Sequence, residues 1–250
     1  MTEAARHLIV VSYYDRRDIE PLRRLFASME RLDAGLPCDV CLVINRDTRG
    51  RLELQLSWPG LKILERENAG MNIGAWDHGW RSFRSYDGYL FLQDECYPVR
   101  SGWLRAFESR AGEAGVGLVG EYFNDRWRLP WDQLRRLWAG HVMKDHVVRG
   151  KAANRVDVYL DFLTRNRLAT GANGGHMRSL VWYVRRSVLE QIGGFPIGSN
   201  YGECIAAEIG VSKQVEALGL EAVQVAGEPF SYLRHSEWVQ HPVTGKFVHI

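Results

Sequence analysis

The order of apolar and polar positions divides the chain into short apolar runs and longer stretches of helical period. Leu8-Ile9-Val10-Val11-Ser12-Tyr13 is apolar and rich in β-branched residues, the pattern of a strand buried on both faces of a parallel sheet. Between Ile19 and Leu32, the residues Leu22, Leu25, Phe26, Met29 and Leu32 recur at helical spacing, and Pro21 suits the first turn of a helix. Val40–Asn45 repeats the buried-strand pattern, and Leu61–Leu64 is a shorter strand behind the Pro59-Gly60 turn. Ile73 to Tyr86 reads as a helix, and Tyr89–Leu92 is a strand that runs into the acidic pair Asp94-Glu95. The order β-α-β-β-α-β predicts an α/β fold with a mostly parallel central sheet flanked by helices.

Further on, Gly117–Gly120 and Leu180–Val184 read as strands, and Ser187–Ile192 as a helix stopped by Gly193-Gly194. Ala206–Leu218 is a helix closed by Gly219, and the stretch from Leu129 to Arg167 has helical pattern at Leu134–Trp138 and Val156–Leu163. There is no repeat, low-complexity tract or linker, so the 250 residues are expected to form a single domain. Residues 1–119 make its first half, 120–235 its second, and 236–250 a polar, loosely held tail.

Charge narrows the partners: 32 Lys+Arg against 30 Asp+Glu give +2, which argues against bulk attraction to nucleic acid or to an anionic membrane. The N-terminus lacks the apolar core of a signal peptide, and nothing supplies the roughly 18 apolar residues of a membrane span. A cytoplasmic protein is expected, with peripheral association with a membrane left open. Cys38 and Cys41 lack the second pair a zinc site wants, and all four cysteines are expected to be reduced.

In open α/β sheets ligands bind beyond the carboxyl ends of the strands. That rule brings Ser12, Tyr13 and Tyr14, then Asn45, Arg46 and Asp47, then Gln93, Asp94 and Glu95 to one cleft. The segment Glu67–Gly79 adds glycines where a loop enters a helix, suiting either close approach to a ligand or a tight, well-packed turn. Asp94-Glu95 offers hard oxygen ligands for Mg²⁺ or Mn²⁺.

These residues resemble the large inverting glycosyltransferase family with the GT-A fold, a single Rossmann-like domain. Its glycine-rich donor loop is matched by Asn68, Gly70, Ala75 and Gly79, with Gly74 as an additional glycine and Asp77 at a position that reaches toward the nucleotide. Its acidic metal motif falls on Gln93-Asp94-Glu95, with the first acid replaced. Its Gly-Gly-Phe signature falls on Gly193-Gly194-Phe195, followed by an acid about eleven residues before a glycine, here Glu208 and Gly219. The resemblance implies transfer of a sugar from a nucleotide-diphosphate donor to a saccharide or lipid-linked saccharide, with inversion, in polysaccharide or cell-surface glycan synthesis. Glu208 would be the base, with Glu203 the competing choice, and Glu95 and His235 would hold a divalent cation. Ser12, Tyr13, Tyr14, Asn45, Asp47, Asn68, Gly70, Gly74, Asp77, Gln93 and Asp94 would meet the donor.

The resemblance leaves residues 120–178 unmatched. Trp127, Trp131 and Trp138 there suit stacking on sugar faces or ordinary packing, and the Arg and Lys residues suit a phosphate, an acidic glycan or a solvated surface. Two other readings remain. A nucleotidyltransferase shares the α/β layout but carries a glycine-rich loop after its first strand, where this chain reads Ser12-Tyr13-Tyr14-Asp15-Arg16-Arg17. A non-catalytic glycan-binding domain is suggested by the replaced acid and by Ala207 beside Glu208.

Overall fold

A computed structural model describes residues 6–47, 58–148, 151–242, 244 and 247–249. The first half comprises β1 (His7–Tyr14), α1 (Glu20–Arg31), β2 (Cys38–Arg46), β3 (Lys62–Glu67), α2 (Met71–Ser82), β4 (Gly88–Gln93), β5 (Cys96–Pro98), α3 (Trp103–Ala111) and β6 (Val116–Gly120). Then come β7 (Phe123–Asn124), α4 (Trp131–Leu137), β8 (Val142–Val148), β9 (Lys151–Asn154), α5 (Arg155–Arg165), β10 (His176–Met177), β11 (Val181–Arg185) and α6 (Arg186–Ile192). The chain ends with α7 (Tyr201–Ala217), β12 (Glu221–Gln224), β13 (Leu233–His235), β14 (Trp238–Gln240) and β15 (Phe247–His249).

Seven strands form the central sheet in the order β12-β6-β11-β4-β1-β2-β3. All run parallel except β11, which is antiparallel to both its neighbours. Alternation along β1 explains the layers. Leu8 and Val10 join one core with Trp76 and Trp80 of α2 and with Ala206, Ala207, Ile209 and Val211 of α7. Ile9 and Val11 join the other with Leu22, Leu25, Phe26 and Met29 of α1 and with Leu104 and Phe107 of α3. A strand covered on both faces has no polar side, so its sequence reads as one apolar run.

The structure differs from these expectations in three places. Helix α2 stops at Ser82 rather than Tyr86, because Phe83 leaves helical geometry (φ −134°) and Tyr86 packs edge-on against Tyr89. Helix α7 starts five residues ahead of Ala206, capped by Asn200, whose side chain accepts from the Glu203 N–H. Glu208 therefore sits in the second turn, not at the helix start. The tail also differs: β14 and β15 pair, and Trp238 and Phe247 pack on Phe230.

Two tethers bring the end of the chain to the sheet. β13 pairs antiparallel with β5, setting His235 opposite Cys96. Glu121, fully buried just after β6, accepts backbone N–H groups of Ser231 (2.9 Å), Tyr232 (3.0 Å) and Leu233 (2.6 Å). All four cysteines are free thiols, and burial raises Cys38 to about 11 and Cys41 to about 12, which makes them poor thiolate donors for a metal.

Candidate active site

A cleft of about 500 Å³ opens over the carboxyl ends of β1, β2 and β4. Of the sequence-predicted residues it is lined by Ser12, Tyr13, Tyr14, Asn45, Asn68, Gln93, Asp94, Glu95, Glu208 and His235. Asp47, Gly70, Gly74, Asp77 and Glu203 stand outside the lining.

Each of these five has a visible local task. Asp47 accepts from Tyr14 Oη (3.1 Å) and pairs with Arg16. Gly70 caps α2 at φ +74°, a conformation few side chains adopt, and a Cβ on Gly74 would lie 2.0 Å from the Ala69 carbonyl oxygen. These glycines shape the turn that carries Asn68 and Asn72 to the cleft. Asp77 accepts the Phe195 N–H (2.8 Å) and pairs with Arg81 (2.6 Å), joining α2 to the Gly193-Gly194-Phe195 turn rather than facing a ligand. Glu203 accepts from the Ser199 N–H (2.9 Å) and hydroxyl and pairs with Arg165 (2.6 Å).

Glu208, 8% exposed, has the more telling surroundings. Its Oε2 accepts from the Ser179 N–H (2.8 Å) and hydroxyl (2.6 Å), and its Oε1 lies 2.9 Å from His176 Nε2. His176 Nδ1 lies 2.7 Å from the Gly174 carbonyl oxygen, which fixes the ring against Glu208. Burial pushes the Glu208 carboxyl up, but the His176 bond and charge, Arg178 and the Ser179 hydroxyl together outweigh it and hold it at about 2. An ionised carboxylate has roughly four lone-pair sites. Three are taken, which leaves one unfilled at the cleft.

Gln93 bridges the halves of the chain. Its Nε2 donates to the Ser179 carbonyl (2.7 Å), which also accepts from Asn72 Nδ2 (2.7 Å), and its Oε1 lies 2.9 Å from His235 Nε2. His235 Nδ1 accepts the Glu237 N–H (3.2 Å), so Nε2 carries the hydrogen and donates to Gln93. Burial lowers this histidine to about 4, keeping it neutral. Neither nitrogen has a lone pair to offer a metal in this arrangement. The reason is the backbone N–H of Glu237, which fixes the tautomer.

Among the described residues no three His, Cys, Asp or Glu side chains converge as a metal cage. A divalent cation bound through a diphosphate needs only one or two carboxylates. Asp94 fits that need: its Oδ2 is buried with no hydrogen-bond partner, and Glu95, paired with Arg17, adjoins it. Burial raises Asp94 to about 6. Because the folded value exceeds the unfolded one, the stability it contributes is full below about pH 4 and is lost as pH rises through 6. Asp94→Asn is thus expected to be stabilising at pH 7.5, on the order of 2 kcal/mol, and near neutral at pH 4.5. Equal unfolding midpoints for variant and wild type at both pH values would contradict this.

Several lining residues escaped the sequence reading: Asn72, Arg178, Ser179, Tyr201 and Trp238 line the cleft, and His176 stands behind it. Trp127 and Trp138 instead stack on each other (5.8 Å), and Trp131 Nε1 donates to the Thr170 carbonyl (3.1 Å); none of the three lines the cleft. The aromatic residues that line the cleft are Tyr13, Tyr14, Tyr201 and Trp238. The Gly174-Gly175-His176 run ahead of β11 was the available signal for His176.

No protein-family model matches the chain, and no curated protein matches it in sequence. Solved structures do match in fold. The mannosyltransferase PcManGT from Pyrobaculum calidifontis, in complex with GDP-Man and Mn²⁺, superposes with a TM-score of 0.54 at 15% identity, over 89% of this chain and 55% of that one. GalNAc-T7 with UDP, GalNAc and Mn²⁺ gives 0.54 at 11% identity, over 89% and 42%. TarS 1-349 from S. aureus gives 0.52 at 12%, over 93% and 60%. The chain thus spans about half the length of these proteins. No helix among the described residues is long and apolar enough to cross a membrane. With a mostly parallel seven-stranded sheet flanked by helices that superposes on these structures over about nine-tenths of its length, the chain has the GT-A fold.

Proposed function

We propose that the protein is a glycosyltransferase that moves a sugar from a nucleotide-diphosphate donor to a saccharide or lipid-linked saccharide. The observation that carries this reading is the ionised, buried Glu208 with one unfilled lone pair in the cleft that Ser12, Asn45, Asn68 and Gln93 also line. An acceptor hydroxyl between the walls would attack the anomeric carbon as the bond from that carbon to the diphosphate oxygen breaks. Glu208 would take the hydroxyl proton, and one such displacement inverts the anomeric centre. Ser12, Tyr14 and Asn68 are the polar groups available to the donor on the strand ends. Asp94 and Glu95 would hold a divalent cation, whose charge offsets that of the departing diphosphate. The neighbours bound to GDP-Man or UDP with Mn²⁺ support this use of the cleft.

Calorimetry against UDP, GDP, ADP, CDP and dTDP, with and without Mn²⁺, tests it. At least one nucleotide is expected to bind, more tightly with the metal, and Asp94→Asn is expected to abolish the metal's effect. Silence across the whole panel would sink the proposal.

A further inference from the structure

Three arginines line the cleft, and two are matched: Arg16 pairs with Asp47, and Arg17 with Glu95. Arg178 is different. Among the described residues it makes no ion pair, its Nε is buried without a hydrogen-bond partner, and its guanidinium carbon lies 5.6 Å from the Trp238 ring centre. Its backbone is fixed, because its N–H donates to the Tyr122 carbonyl (3.0 Å) and the next residue, Ser179, is bound to Glu208. Arg178 does not bond Glu208 itself, whose oxygens are occupied by Ser179 and His176. A guanidinium is thus held at the wall of the cleft, beside the proposed base, with donors that no protein group satisfies. Buried polar groups are rarely left so.

We propose that Arg178 reads a phosphate or carboxylate on the acceptor, near the hydroxyl presented to Glu208, so that the acceptor is an anionic glycan or a phosphate-linked one. This rests on the glycosyltransferase reading above. The planar fork of an arginine matches either oxyanion with two parallel hydrogen bonds. Trp238 beside it offers a flat apolar face to the ring that carries the anion. Placement favours the acceptor over the donor: Arg16 and Arg17 follow β1 among the donor-side residues, whereas Arg178 lies between β10 and β11, next to Glu208.

The test uses the full chain, with and without the nucleoside diphosphate that binds it, titrated with methyl β-glucuronide, glycerol 3-phosphate and the neutral methyl β-glucoside. Wild type is expected to bind one of the two anions at least about ten-fold more tightly than the glucoside, and the anion preferred separates carboxylate from phosphate. Arg178→Gln should lose that preference, Arg178→Lys should keep part of it, and nucleotide affinity should stay within about two-fold in both. Absence of any anion preference in wild type, or its persistence in Arg178→Gln, overturns the inference. So does a matching loss of nucleotide affinity, which would assign Arg178 to the donor diphosphate. If no nucleotide binds but an Arg178-dependent anion preference remains, the glycosyltransferase reading fails and the anion site stands.

Discussion

Glu208→Gln is expected to lower sugar transfer by roughly 10²- to 10⁴-fold, the usual contribution of a positioned general base. Nucleotide binding should persist, because the donor-side groups are on other elements. The variant should also lose some stability: the amide oxygen can still accept from the Ser179 N–H and hydroxyl, but an NH2 replaces the carboxylate oxygen that faces His176 Nε2, so that buried carboxylate–histidine contact is lost. Glu203→Gln is the control, expected to leave the transfer rate close to wild type because Glu203 binds Ser199 and Arg165 away from the cleft. With Glu208 at about 2, its own protonation leaves activity untouched between pH 4 and 9, so an acid limb near 6 would belong to Asp94. Near-normal transfer by a folded Glu208→Gln would remove the residue from the chemistry.

The largest effect on stability is expected at Glu121. Replacing it with Ala orphans the buried donor at Leu233, worth about 1–3 kcal/mol, and the part-buried donors at Ser231 and Tyr232, for a total of roughly 3 kcal/mol. Denaturant unfolding measures the loss, and amide exchange should locate it in the segment that ends in β13. Since β13 carries His235, the cleft wall should loosen before the central sheet does. Burial raises Glu121 to about 7 in spite of the backbone bonds. The sign follows: the folded value lies above the unfolded one, so its contribution declines as pH rises through 7. An Ala variant within about 0.5 kcal/mol of wild type would show that other contacts hold the segment.

How much was legible in the sequence depended on whether a residue's role was expressed in a periodic pattern. Strands β1, β2 and β4 announce themselves because both faces are covered, and the residues at their ends follow from the α/β rule. Helix α7 was harder. It buries Ala206, Ala207, Ile209, Gly210 and Val211 in succession, so it lacks the polar stripe that marks a helix at the surface, and its cap at Asn200 is separated from the apolar run. The donor-side residues were visible as strand ends and as a glycine loop. Ser179 and Arg178 were not, since the first acts mainly through backbone groups and the second is distinguished only by having no partner. The tail was misread because Trp238 and Phe247 are apolar positions within polar surroundings, and their partner Phe230 belongs to a turn. Asp77 illustrates the opposite error: a polar residue in a recognisable loop, engaged in holding two structural segments together.

The Ser179 peptide has one more consequence. Its carbonyl receives Asn72 and Gln93 from the first half of the chain, and its N–H and hydroxyl hold Glu208 in the second. A substitution that shifts this peptide is therefore expected to displace Asn72, Gln93 and Glu208 together. Residues 120–178 fall under the same constraint, since a chain rebuilt there must still return to this peptide ahead of β11. A chimera of two such folds is therefore expected to stay intact only when Ser179 arrives together with Asn72, Gln93 and Glu208.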